Sequence, residues 1–138
     1  MKIITNSVNE TKKFASSFAK KLKKSDILCL CGDLGSGKTT FVQGLAKGLG
    51  VKGLPTSPSF VLLNIYSGKF PLYHFDLYRL NNTDEIRNLG YEEFFYGDGI
   101  TAIEWAEKLK ELTPKKYIEI KFKILEKNKR EIIIKKTN

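Results

Sequence analysis

Ile27-Leu28-Cys29-Leu30-Cys31-Gly32-Asp33-Leu34-Gly35-Ser36-Gly37-Lys38-Thr39-Thr40-Phe41 is the stretch that decides the fold. Its middle, Gly32 to Thr39, matches G-x-x-x-x-G-K-[ST] at every fixed position. An apolar run precedes the match and a helix-compatible run follows, so the context is strand, loop, helix. Glycines let such a loop curl until successive N–H groups point inward at phosphate oxygens. The N-terminus of the following helix adds a partial positive charge. Asp33, Leu34, Gly35, Ser36 and Gly37 are therefore candidate phosphate-cradle positions. Lys38 is expected on the β- and γ-phosphates, and the Thr39 hydroxyl on Mg²⁺.

Outward from this loop, the chain alternates helical and strand patterns. Ser7 and Glu10 have capping-box spacing, and Phe14, Ala15, Phe18, Ala19 and Leu22 follow at helical period, which predicts a helix over 8–24. Residues 27–31 read as the central strand and 38–49 as the next helix. Two apolar runs, Phe60 to Tyr66 and Phe70 to Leu77, flank the Ser67-Gly68-Lys69 turn and predict an antiparallel hairpin. Short helices are expected over 83–89 and 91–96, a buried strand over 100–104 and a helix over 105–112. Alternating strands over 117–125 and 131–136 close the chain. The expected architecture is one α/β domain over 1–138: three layers, P-loop NTPase-like, with a mixed parallel and antiparallel sheet flanked by helices.

With 138 residues, 41% of them hydrophobic, the chain is long enough to bury a real core. No apolar run approaches the length of a membrane span, and no apolar leader opens the sequence, so the expected compartment is the cytoplasm. Cys29 and Cys31 share one face of the central strand and suit small buried hydrophobes better than a disulfide. A net charge of +9 rests almost wholly on lysine, since arginine occurs only at Arg79, Arg87 and Arg130. The lysines are spread along the chain without an RNA-binding motif, which favours a solvated basic face over a nucleic-acid site.

A phosphate-binding loop of this type works with an acid at a neighbouring strand end. Leu72-Tyr73-His74-Phe75-Asp76 and Ile100-Thr101-Ala102-Ile103-Glu104 each end an apolar run on a carboxylate, where open α/β sheets place ligand groups. Either acid also fits an ordinary strand-end role. The hydroxyls of Thr56-Ser57-Pro58-Ser59 suit a segment that senses the γ-phosphate, and equally a surface turn. Arg79 and Arg87 are candidates for stabilising transition-state charge or docking a partner. Guanine-reading N-K-x-D is approached only by Asn128-Lys129-Arg130-Glu131, with the wrong acid and in an expected turn, so ATP is favoured over GTP.

Taken together, Gly32 to Phe41, Ser57-Pro58-Ser59-Phe60, Tyr73-His74-Phe75-Asp76-Leu77-Tyr78-Arg79-Leu80, Leu89-Gly90 and Ile103-Glu104-Trp105 resemble, in order, the motifs of the TsaE (YjeE) ATPases. That family acts in threonylcarbamoyladenosine modification of tRNA. The resemblance implies ATP and Mg²⁺ as ligands, with Lys38 on the phosphates and Thr39 and Glu104 at the metal. It further implies Thr40 near the α-phosphate, Asp76 near the γ-phosphate and its water, and Trp105 beside the nucleotide. Slow hydrolysis would reset the partner proteins TsaB and TsaD, which form the modification at position 37, with no membrane involved and tRNA engaged through the complex. Ser59 stands where the family usually has Thr, which keeps the hydroxyl and loses the methyl. The segment 5–7 and Lys129 or Arg130 are expected at the adenine. Two other readings stay open: a nucleotide-gated module that does not need turnover, and a small metabolite kinase. The kinase is disfavoured by the scarcity of arginine and the lack of a lid-like insertion.

Overall fold

A computed structural model describes residues 1–53 and 62–137. The described elements run β1 (Lys2–Thr5), α1 (Val8–Ala19), β2 (Ile27–Cys31), α2 (Lys38–Gly48), β3 (Leu63–Tyr66), β4 (Leu72–Asp76), α3 (Asp84–Asn88), α4 (Tyr91–Phe95) and β5 (Ile100–Glu104). A 3₁₀ helix (Ala106–Leu112), β6 (Ile118–Glu126) and β7 (Lys129–Lys136) complete them. The strands form one sheet in the order β1-β7-β6-β2-β5-β4-β3. Its centre is parallel, with β5 between β2 and β4 and with β6 on the other side of β2. The pairs β1–β7, β6–β7 and β3–β4 are antiparallel, so the expected mixed sheet is present.

The central strands are apolar end to end because helices cover both of their faces. Along β2 the side chains alternate between two cores. Leu28 and Leu30 face one that also contains Phe41, Leu45, Ile120 and Ile132, under α1 and α2. Ile27 and Cys29 face the other, with Phe75 of β4 and with Ile86, Phe95 and Leu109 from the helices packed on that face. Both cysteines are free thiols, as their shared face suggests.

Helices α1 and α2 meet along a seam of small residues, Ala15 and Ala19 against Gly44 and Gly48. A Cβ on Gly44 would stand 2.5 Å from the Lys12 carbonyl oxygen and 2.7 Å from Ala15 Cβ, so the backbones approach only because it is absent. This contact fixes α2, the helix that carries Lys38 and Thr39, against the first helix of the chain. Ser7 Oγ accepts from the Glu10 N–H at 3.1 Å, so Ser7 caps the helix as expected, while Glu10 Oε1 accepts from the Asn6 N–H at 3.0 Å, one residue further back than in a capping box.

Three elements differ most from expectation. The first helix stops at Ala19 instead of residue 24, because Asp26 Oδ2 accepts the Lys23 N–H at 2.8 Å and Ser25 takes φ +69°, turning the chain into β2 while Leu22 stays buried. Residues 105–112 are not a regular helix: Trp105 enters at φ +59° and Lys110 breaks the run at φ +50°, leaving two tight turns. Strand β1 was not expected; it exists through its pairing with β7, at the far end of the chain. The hairpin is present as β3 and β4, while Phe60 and Val61 lie outside the described residues.

Candidate functional site

Three loops leave the sheet at the same edge: the glycine-rich loop after β2, the turn after β5 and the turn after β4. Parallel pairing sets their heights, with Leu30 opposite Glu104 and Glu104 opposite Asp76. A cleft of about 510 Å³ opens above them.

The loop is held by unusual backbone angles. Gly37, the residue before α2, has φ +110°, and Gly32 has φ +156° with Ser36 Oγ only 2.6 Å from where its Cβ would sit. Such angles strain any residue with a side chain, so the motif glycines are there for conformation. Ser36 Oγ is buried and makes no hydrogen bond among the described residues. That is an unsatisfied polar atom inside a phosphate-type loop.

Lys38 is 4% exposed. Its Nζ donates to the Gly32 carbonyl and, at 3.3 Å, to the Asp33 carbonyl. The same ammonium lies 3.7 Å from the centroid of the Trp105 ring, a cation–π contact. Burial pulls the Lys38 pKa down, against the Glu104, Glu107 and Asp76 carboxylates, which raise it. Trp105 holds its ring there from a left-handed backbone, strain of about 1–3 kcal/mol that surrounding contacts must offset. One such contact is Tyr78, whose ring centroid is 5.1 Å away.

Glu104 is 3% exposed. Thr39 Oγ1 lies 2.9 Å from its Oε1 and 3.1 Å from its Oε2, and His74 Nε2 lies 2.6 Å from Oε2. Asp76, by contrast, lines the cleft half-buried, and its Oδ1 accepts the Tyr78 N–H at 3.1 Å.

Most of the residues expected from the sequence therefore meet in one place. Leu34, Gly35, Ser36, Gly37, Lys38, Thr39, Thr40, Asp76, Glu104, Trp105 and Arg130 all line the cleft. Asp33 does not; it takes part through its carbonyl, which accepts from Lys38 and from the Ser36 N–H. Ser59, with Ser57 and Pro58, lies outside the described residues. Of the expected base-side positions, Ser7 and Arg130 line the cleft. Arg79 also lines it, whereas Arg87 pairs with Asp84 at 3.0 Å and Glu111 at 3.1 Å, bracing α3 to the 3₁₀ helix. Sequence reasoning gave no role to His74, although a lone histidine inside an apolar strand that ends on an acid was a readable signal.

The oxygen donors of Thr39 and Glu104 fit Mg²⁺, which takes one or two protein oxygens and completes its shell with phosphate and water. Among the described residues no group of three or more His, Cys, Asp or Glu side chains could hold a metal ion.

Comparison with known proteins adds the family. The model described as "Threonylcarbamoyl adenosine biosynthesis protein TsaE" matches residues 5–132. A curated relative from Rickettsia typhi, named tRNA threonylcarbamoyladenosine biosynthesis protein TsaE, is 46% identical over 135 residues, covering 96% of this chain and 93% of its own. The relative of the same name from Treponema pallidum is 36% identical over 134 residues, covering 97% and 99%. The crystal structure of YdiB from Bacillus subtilis superposes with a TM-score of 0.84 at 37% identity, covering all of this chain and 86% of that one.

Proposed function

The chain belongs to the TsaE family, a family of tRNA threonylcarbamoyladenosine biosynthesis, and from that premise we propose that it binds ATP with Mg²⁺ and hydrolyses it slowly in support of TsaB and TsaD. The observation that carries this is the Thr39 hydroxyl 2.9 Å from the Glu104 carboxylate, two oxygen donors beside the glycine-rich loop. Residues 1–138 act as one unit in this reading, in the cytoplasm, with tRNA engaged through the complex. Among the described residues no helix is long and apolar enough to cross a membrane.

Each residue has a task. The backbone amides from Gly35 to Thr40 receive the phosphate chain, as anions are received at a helix N-terminus. Lys38 leaves the Gly32 carbonyl and moves onto the β- and γ-phosphates, and Trp105 follows or yields as it goes. Thr39 and Glu104 would hold Mg²⁺, which when bound neutralises charge on the β- and γ-oxygens. Asp76, half-buried in the cleft, orients the attacking water; that water's oxygen bonds to the γ-phosphorus as the bond to the bridging oxygen breaks, ADP leaving with the bonding electron pair and the water's proton passing to a γ-phosphate oxygen. Ser7 and Arg130 flank the base end.

Hydrolysis should be measured with and without the purified TsaB–TsaD pair. Stimulation by the pair is expected, and its absence would overturn the proposed partnership. Glu104→Ala is expected to lower Mg²⁺-dependent hydrolysis by about a thousandfold while nucleotide still binds in EDTA. The closed Lys38–Trp105 contact also favours a second reading, in which occupancy alone gates the partners. Wild-type tRNA modification by Glu104→Ala would select that reading.

A further inference from the structure

His74 is the chain's single histidine, wholly buried in the middle of β4. It stands opposite Ala102 of β5, and Glu104 is two residues further along that strand on the same face. Ala102, buried itself, is small enough to leave the imidazole room to reach diagonally across the pair. The outcome is Nε2 2.6 Å from Glu104 Oε2, while Thr39 approaches the same carboxylate with its hydroxyl nearer Oε1, at 2.9 Å. With Nε2 as donor and the Oε2 carboxylate oxygen as acceptor, Nδ1 is the ring nitrogen left without a partner among the described residues.

We propose that His74 is a positioning residue: by donating its Nε2–H to Oε2 it turns Glu104 so that Oε1 is presented on the Thr39 side of the cleft. This rests on the metal-side role given to Glu104 above. A glutamate has three rotatable bonds, and the Thr39 hydroxyl, within reach of both oxygens, does not choose between them. His74 does choose. Without it Oε2 would lie buried with one donor fewer, and the carboxylate would relax toward whichever rotamer reaches water. Partners of this kind behind a metal ligand alter metal affinity by about 10–100-fold when removed.

Because there is only one histidine, its ¹⁵N spectrum can be read in the unmutated protein. A protonated, pyrrole-type Nε2 and a pyridine-type Nδ1 are expected, with the Nε2–H signal moving on addition of MgADP but not of ADP in EDTA. The opposite tautomer, or an Nε2–H indifferent to Mg²⁺, would overturn the proposal. In parallel, binding of a non-hydrolysed ATP analogue is titrated against Mg²⁺. His74→Leu is expected to raise the half-saturating Mg²⁺ by about tenfold, with affinity in EDTA within about twofold of wild type. His74→Gln, which can place a donor near the Nε2 position, is expected to recover most of that loss. Equal damage in both variants would mark a packing role and overturn the proposal. Unchanged Mg²⁺ dependence in His74→Leu, with a large change in Glu104→Gln, would overturn it while leaving the role of Glu104 intact. No change in either variant would remove both.

Discussion

The two halves of the sheet meet water differently. In the parallel centre, β2, β5 and β4 have helices on both faces, and four residues of β2 and all five of β5 are buried. In the arm beyond β2, where β6 pairs parallel with β2 and antiparallel with β7, the strands β1, β7 and β6 are covered on one face by the core under α1 and α2 and are open on the other. There the pattern alternates, with Ile118, Ile120 and Phe122 buried, Glu119 half-buried, and Lys121 and Lys123 exposed. The buried titratable side chains of the site, Lys38, His74 and Glu104, belong to the centre and the helix it launches. Burial on both faces lets a strand end carry a desolvated acid, because its position is fixed from above and below. A half-solvated strand gives its residues no such hold, and what the arm contributes is charge and edge coverage.

The largest effect expected from this contrast is on stability. Phe75 of β4 is fully buried, with ring contacts to Phe94 at 6.1 Å and Phe95 at 5.4 Å. Phe75→Ala should cost about 4 kcal/mol and lower Tm by about 15 °C, because the aromatic cluster cannot collapse into the space. Ile133→Ala, on the outer face of β7, should cost less than about 1 kcal/mol. Equal losses in urea melts of the two variants would break the contrast.

A smaller effect tests burial in the centre through pH. Burial pushes the Cys29 thiol up to about 12, with the neighbouring Cys31 and Glu119 adding to it, and Cys31 is raised to about 11, also chiefly by burial. The folded protein thus holds these protons more tightly than the unfolded chain does. The associated stability is fully present below pH 9, the ordinary thiol value, and is lost as pH rises through the folded values near 11 and 12. At pH 10 the loss from Cys29 is about 1 kcal/mol. Cys29→Ala should flatten the fall in urea midpoint between pH 8.5 and pH 10.5 in proportion, with lysine titration common to both proteins. An unchanged slope would mean that the thiol is not sealed in the way its strand position requires.

What could be read from the sequence follows the same division. The centre was legible because doubly covered strands are continuous apolar runs, and because Gly32 to Thr39 admits few backbone paths. Asp76 and Glu104 are both acids that end strands, but their different burial was not visible, since it depends on the sheet order, which puts β5 deep in the sheet between β2 and β4 and puts β4 next to the edge strand β3. His74 was passed over for a related reason: its importance comes from lying diagonal to Glu104 across a register that no local pattern encodes. In the arm, β6 and β7 announced themselves by alternation. Strand β1 did not, because four residues with no turn signal become a strand only when β7 arrives beside them.

Arg130 is where the arm reaches the site, and it tests how far the contrast extends. One of its guanidinium nitrogens, Nη1, donates to the carbonyls of Glu126, Lys127 and Lys129 at 3.0–3.1 Å, closing the β6–β7 turn, while Nη2 reaches the Gly35 carbonyl at 3.3 Å. The turn carbonyls are exposed enough for water to replace those bonds, so Arg130→Ala should change stability little. The tie to Gly35 is long, which limits its share of loop positioning, yet a cation at the cleft wall still attracts a nucleotide. The expected result is an ATP affinity about threefold weaker, with the deficit shrinking at high salt. Arg130→Lys should keep the charge and lose the fork, recovering the salt-sensitive part alone. A hundredfold loss would mean that nucleotide binding is shared by both halves of the sheet, and the division between a chemical centre and a covering arm would no longer hold.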